Sequence, residues 1–150
     1  VKDLEQFLKQ INISELTKKT LLSLMKKKEK ENKMQKRLNW VGGITLLVIV
    51  TLATYFYFKM KMNGGVGSSA LTFILSDTLI LTLMAFLSIL IYSMFQLKRK
   101  FDKAEKDVDK IREDIMDRSY EFWRTKEELE ERYKVFEYLK DKEDINLYHK

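Results

Sequence analysis

Two stretches of the chain carry no charged side chain: Leu38 to Phe58, a run of 21 residues, and Thr78 to Leu97, a run of 20. At ~1.5 Å rise per residue, ~20 apolar residues cross a ~30 Å hydrocarbon core, so each run predicts a membrane-spanning helix. Before the first run, Leu4, Phe7, Leu8 and Ile11 recur at helical spacing and predict a short amphipathic segment. Asn12 and Ser14 supply capping chemistry, and a second helix is expected from Glu15, with Leu16, Leu21, Leu24 and Met25 on its apolar side. No Gly or Pro interrupts it before Gly42, so this helix is expected to run into the first span.

The clearest break is the connector that begins at Lys59, where Gly64, Gly65 and Gly67 permit a tight reversal. Ala70 to Leu75 reads as an interfacial turn or as an early part of the second span, and Ser69, Ser76 and Asp77 are alternative helix caps. From Ser68 onward the chain contains neither Gly nor Pro, so the second span is expected to continue into a charged tail. There Phe101, Ala104, Val108, Ile111 and Ile115 follow heptad spacing, and Phe122, Leu129 and Phe136 continue one frame of it. The other frame degrades at Arg118, Thr125 and Arg132. Two good heptads predict coiled-coil packing against a short partner, the chain's own N-terminal arm being the expected one. The last residues, Asn146 to Lys150, are expected to fray.

The resulting expectation is an all-α membrane protein: a two-span transmembrane helical hairpin with long cytoplasmic helical arms. Its segments are a basic arm (1–37), a first transmembrane helix (38–58), an external connector (59–75), a second transmembrane helix (76–97) and a charged arm (98–150). The first run begins after 37 polar and charged residues and is longer than the apolar core of a secretory signal, so it is expected to remain as an anchor.

Charge sets the expected orientation. Seven Lys or Arg residues lie between Lys26 and Arg37, and five more follow the second run between Lys98 and Lys106, against two in the connector. By the positive-inside rule both termini are expected on the cytoplasmic side of a bacterial plasma membrane. The run that includes Lys26, Lys27, Lys28, Lys33, Lys36 and Arg37 also suits anionic lipid headgroups. Its position against a span, with no aromatic stacking platform, argues against nucleic acid.

On the expected second transmembrane helix, Asp77, Thr78, Thr82, Ala85, Ser88, Tyr92, Ser93 and Gln96 share one half. This half is expected to face protein, and the half carrying Leu79, Ile80, Leu83, Phe86, Leu87, Leu90, Ile91 and Met94 to face lipid. Gly42, Gly43 and Ala53 on the first span are the expected packing partners, the glycines making room for Tyr92. Asp77 has two readings: a helix cap at the outer interface, or one carboxylate of a ring at the mouth of an oligomeric pore. In the tail, Tyr120, Trp123, Tyr133 and Phe136 form an aromatic-rich patch expected to act partly as a surface for a protein partner or a second copy.

Enzymatic chemistry has no visible carrier. The chain has no Cys, its single His is the penultimate residue, and the Gly-rich connector lacks the Lys-Ser/Thr of a phosphate loop. No cofactor or metal is expected. The plan resembles the YpbF-like family of small two-span membrane proteins of Bacillus-type bacteria. The resemblance rests on KKKEKENKMQKRLNW at 26–40, the hairpin, and SYEFWRTKEELEERY at 119–133. It implies the two-span plan but no activity and no functional residues. The functional expectation is a non-enzymatic anchor or interaction scaffold; the alternative is a small oligomeric channel or holin-like pore.

Overall fold

The computed structural model describes residues 2–62 and 74–148, and every element among them is helical. The helices are α1 (Lys2–Lys9), α2 (Glu15–Met62), α3 (Thr78–Asp117), α4 (Ser119–Phe122) and α5 (Lys126–Glu143). The glycine connector and His149 lie outside the described residues.

Local chemistry explains the boundaries. Ser14 starts α2: its side-chain oxygen accepts from Thr17 N–H at 3.1 Å and its carbonyl accepts from Lys18 N–H at 3.0 Å. Helix α2 then runs 48 residues, through the first apolar run and beyond Lys59 to Met62, four residues past the expected end of the span. Helix α3 begins at Thr78 and passes without interruption through the second apolar run to Asp117. Where the heptad pattern degrades, the helix stops. Arg118 occupies a non-helical turn, α4 is a single turn, and Thr125 is the N-cap of α5. The polar d positions Arg118 and Thr125 therefore mark a break in the tail, not a weakened stretch of one long helix. Helix α5 ends at Asp144 in the left-handed conformation (φ 55°, ψ 38°), with Ile145 N–H donating to Leu139 O at 3.0 Å.

The chain forms two compact units. One comprises residues 1–33 and 102–150, and the other comprises residues 34–101. The first has a true core. Leu4, Leu8, Leu21 and Leu24 from the N-terminal arm pack with Val108, Ile115, Phe122, Trp123, Val135, Phe136 and Leu139 from the tail. Fully burying such side chains contributes ~1.5–3 kcal/mol each. Phe7 stacks on Tyr138 at 4.4 Å between ring centroids. The N-terminal arm is thus the partner of the tail, as its heptads require. Of the residues expected to fray, Leu147 is buried in the same core and Tyr148 packs edge-on against Phe136, while His149 and Lys150 lie outside the described residues.

The second unit is a pair of helical segments. Among the positions that are not exposed, Leu38, Val41, Thr45, Val48, Leu52, Tyr55 and Lys59 form a line on α2, and Ile80, Leu83, Leu87, Leu90, Met94 and Leu97 form one on α3. Both lines alternate steps of three and four, the spacing of knobs-into-holes packing. Outside these lines, large apolar side chains stand exposed, including Trp40, Leu46, Leu47, Ile89, Tyr92 and Phe95. Both long helices are long and apolar enough to cross a membrane. Their qualifying apolar stretches are only 11% and 6% buried, unlike the core helix of a soluble domain.

Candidate functional site

Asp77 is a polar group of the second unit with several partners among the described residues. Its Oδ1 accepts from Leu79 N–H at 3.0 Å and from Ile80 N–H at 3.4 Å, capping α3. Its Oδ2 accepts from Tyr55 Oη at 3.0 Å and lies 3.3 Å from Lys59 Nζ. Tyr55 and Lys59 stand one turn apart on α2, so a single carboxylate both begins α3 and ties it to α2. This geometry matches the cap reading. Sequence reasoning missed the two partners, although an i, i+4 Tyr/Lys pair at the end of an apolar run was the available signal.

The six residues expected to pack the spans are placed differently. Gly42 does face α3, but its neighbour is the tip of Met94: a Cβ there would lie 3.8 Å from Met94 Cε, ordinary contact distance. A Cβ on Gly43 would meet nothing within 4 Å. Ala53, Ala85 and Ser88 are exposed, and Tyr92 is 65% exposed, its hydroxyl accepting from Gln96 Nε2 at 2.9 Å. Within the single chain the facing of α3 differs from that expected: Ile80, Leu83, Leu87, Leu90 and Met94 turn inward, while Leu79, Phe86 and Ile91 are exposed and Asp77, Ser93 and Gln96 are half-buried.

The reason lies in local hydrogen bonding. Thr51, Thr54, Thr82 and Ser88 each donate to the carbonyl four residues earlier at 2.7–2.9 Å. Their hydroxyls are satisfied without a neighbouring helix, so they tolerate an apolar surrounding. Branched and long apolar side chains at 3/4 spacing are then free to interdigitate.

The basic run separates into two groups. Lys27 Nζ lies 2.7 Å from Asp107 Oδ2, Lys28 3.1 Å from Glu31 Oε1 and Lys33 3.5 Å from Glu29 Oε1. The Lys27 hydrogen bond is the main cause holding the Asp107 carboxyl below its ordinary range. Among the described residues, no carboxylate lies within 4 Å of Lys26, Lys30, Lys36 or Arg37. Half of the expected headgroup-binding set, Lys27, Lys28 and Lys33, is thus engaged within the chain; Lys26, Lys36 and Arg37 are not.

The aromatic patch also divides. Trp123 and Phe136 are 2% and 5% exposed and meet edge-to-face at 5.9 Å inside the core. Tyr120 and Tyr133 are 73% and 63% exposed and remain available as surface. The correction has a simple cause. A broken tail folding with α1 and α2 encloses far more volume than two parallel arms, and the bulkiest aromatics fill it.

Sequence reasoning also missed Glu128. It forms a reciprocal capping box with Thr125, whose side chain accepts from Glu128 N–H at 3.1 Å. One carboxylate oxygen accepts from Arg124 N–H at 2.8 Å and Thr125 N–H at 3.2 Å; the other accepts from Ser14 N–H at 3.1 Å. Burial opposes its ionisation, but the three N–H donors together outweigh it and hold the carboxyl below its ordinary range. Beside it, Thr17 Oγ1 donates to Phe122 O at 2.9 Å. The Thr-x-x-Glu signature at 125–128 was the legible sign of the box. Nothing local signalled its reach to Ser14. Among the described residues, no group of three or more His, Cys, Asp or Glu side chains is arranged to hold a metal.

A family model described as "Protein of unknown function (DUF2663)" matches residues 20–150. The chain is 30% identical over 135 residues to "Uncharacterized protein YpbF" of Bacillus subtilis (strain 168), covering 88% of this chain and 87% of that protein. No solved structure matches. With the match spanning both long helices and the broken tail, the chain belongs to the DUF2663 family of proteins of unknown function.

Proposed function

We propose that this protein is a non-enzymatic integral membrane protein: a two-span hairpin that anchors a small helical bundle as an interaction module. The observation that carries the reading is the contrast between the two units. The unit of residues 34–101 leaves large apolar side chains exposed along two long apolar helices, whereas that of residues 1–33 and 102–150 buries its own in a core. A bilayer is the solvent that makes the first arrangement stable and water the one that suits the second. The Lys/Arg bias favours the termini on the cytoplasmic side of the plasma membrane.

The chain has no native Cys, so single cysteines test this directly. With a membrane-impermeant maleimide on intact cells, Asn63→Cys is expected to label, and Asn12→Cys and Asn146→Cys only after permeabilisation. Labelling of all three on intact cells, or recovery of the protein in the soluble fraction, overturns the reading. For the interaction role, Tyr120→Ser with Tyr133→Ser is expected to abolish in-membrane crosslinking to a partner or second copy while leaving the fold intact. Unchanged crosslinked products overturn that surface.

The pore alternative receives less support, because the Asp77 carboxylate is occupied by two backbone N–H groups, Tyr55 and Lys59. Reconstituted protein is expected to conduct no ions. A flux that disappears in Asp77→Asn would establish the pore instead.

A further inference from the structure

The unpaired cations Lys36 and Arg37 do not stand alone. The hydrocarbon stems of their side chains, with Trp40 and Val41 of α2 and Leu97 of α3, line an open apolar groove of about 390 Å³. Lys36 and Trp40 are one helical turn apart, as are Arg37 and Val41, so two positive charges lie about 5 Å further toward the N-terminus of α2 than an apolar wall. Trp40 is 75% exposed, and its indole joins an apolar ring to a polar N–H, the character of side chains at a lipid–water interface.

A second groove of about 400 Å³, lined by Leu38, Ile91, Met94, Phe95 and Lys98, has one cation. That cation sits over the Phe101 ring at 5.1 Å. The Lys36/Arg37 groove joins a flat aromatic and an aliphatic floor to the stems of two exposed side chains whose charged ends have no carboxylate within 4 Å among the described residues. The exposed ammonium and guanidinium that these stems carry suit a phosphate diester, and the apolar lining suits the first methylenes of an acyl chain.

We propose that this groove is a binding site for one anionic glycerophospholipid, its phosphate held by Lys36 and Arg37 and its acyl chain laid along Trp40, Val41 and Leu97. The assignment rests on the membrane-hairpin reading above.

Trp40 is a reporter inside the site. The full chain carrying Trp123→Phe is reconstituted in vesicles of equal parts phosphatidylcholine and phosphatidylglycerol, with brominated acyl chains on one lipid or the other. Brominated phosphatidylglycerol is expected to quench Trp40 in preference to brominated phosphatidylcholine. Each well-placed Lys or Arg contributes about a fivefold preference, so two give up to ~25-fold. Lys36→Gln with Arg37→Gln is expected to bring the two lipids to parity, and Lys26→Gln with Lys30→Gln, which do not line the groove, to leave the preference intact. The same differences are expected in the chain retaining Trp123, whose buried ring adds a constant background.

Equal quenching by both lipids in the parent chain overturns the site, as does a preference that survives Lys36→Gln/Arg37→Gln. Loss of the preference on adding inorganic phosphate, but not chloride at equal ionic strength, would reassign the groove to free phosphate. Absence of quenching by either lipid would instead overturn the membrane reading itself.

Discussion

Glu128 shows how much one side chain can organise. Its carboxylate satisfies N–H groups of Ser14, Arg124 and Thr125, so it joins the start of α2 to the start of α5. Replacing it with Ala returns the two exposed donors to water and leaves the half-buried Ser14 N–H without its acceptor, and a loss of about 0.5–1.5 kcal/mol is expected. Thr125→Ala, which removes one half of the capping box, is expected to cost ~1 kcal/mol. Both are read from thermal unfolding of the purified chain, followed by the near-ultraviolet signal of the buried Trp123. The pH dependence has a definite sign. The folded-state pKa of Glu128 lies below its ordinary value of 4.5, so its contribution is present above that value and lost as pH falls below it. Unfolding temperature is therefore expected to drop below about pH 4.5, and Glu128→Gln to flatten part of that slope. Asp144 offers the opposite opportunity: its left-handed backbone suits Gly, and Asp144→Gly is expected to stabilise by ~0.5–1 kcal/mol in the same assay.

At the scale of elements, α3 carries one continuous apolar line. Ile80, Leu83, Leu87, Leu90, Met94, Leu97, Phe101, Ala104, Val108, Ile111 and Ile115 keep steps of three and four over the length of the helix, and none is exposed. Leu87→Ala is expected to cost about 1–2 kcal/mol, less than a fully buried Leu, whereas Ser88→Leu on the exposed face is expected to be neutral. Unfolding of the chain in detergent micelles compares the two; equal effects would contradict the inward line.

Much of this level was legible from spacing. The break between α1 and α2, the cap at Ser14, the run of each apolar span into a charged helical arm and the union of tail with N-terminal arm all follow from apolar periodicity and capping residues. The inward line of α3 was not legible, because polarity favours the hydroxyl side while the hydroxyls satisfy themselves within their own helix. Trp123 and Phe136 were misread for a related reason. The break at Arg118 creates an interior that no single-helix projection reveals.

For the molecule as a whole, one unit buries its large apolar side chains in a core and the other leaves many of its own exposed. Disrupting the Trp123–Phe136 contact is expected to unfold the bundle and not merely to weaken an interface, since Phe136→Ala removes a core ring worth ~3–5 kcal/mol. Trp123→Phe is expected to be close to neutral by contrast. The indole Nε1 is buried with no acceptor among the described residues, so losing it relieves an unmatched donor while most of the ring packing is kept. Circular dichroism of both variants separates these outcomes.

The bundle draws on both ends of the chain, and this bears on its birth. Ser14 waits for a partner 114 residues later, and Thr17 for one 105 residues later. At roughly 5–20 residues per second, translation needs on the order of 6–20 s to deliver Glu128 after Ser14. Throughout that interval Leu4, Leu8, Leu21 and Leu24 lack the tail that covers them, while the two apolar runs leave the ribosome. A nascent chain arrested before Phe122 is therefore expected to bind chaperones through its first 25 residues, and one extended past Leu147 to release them.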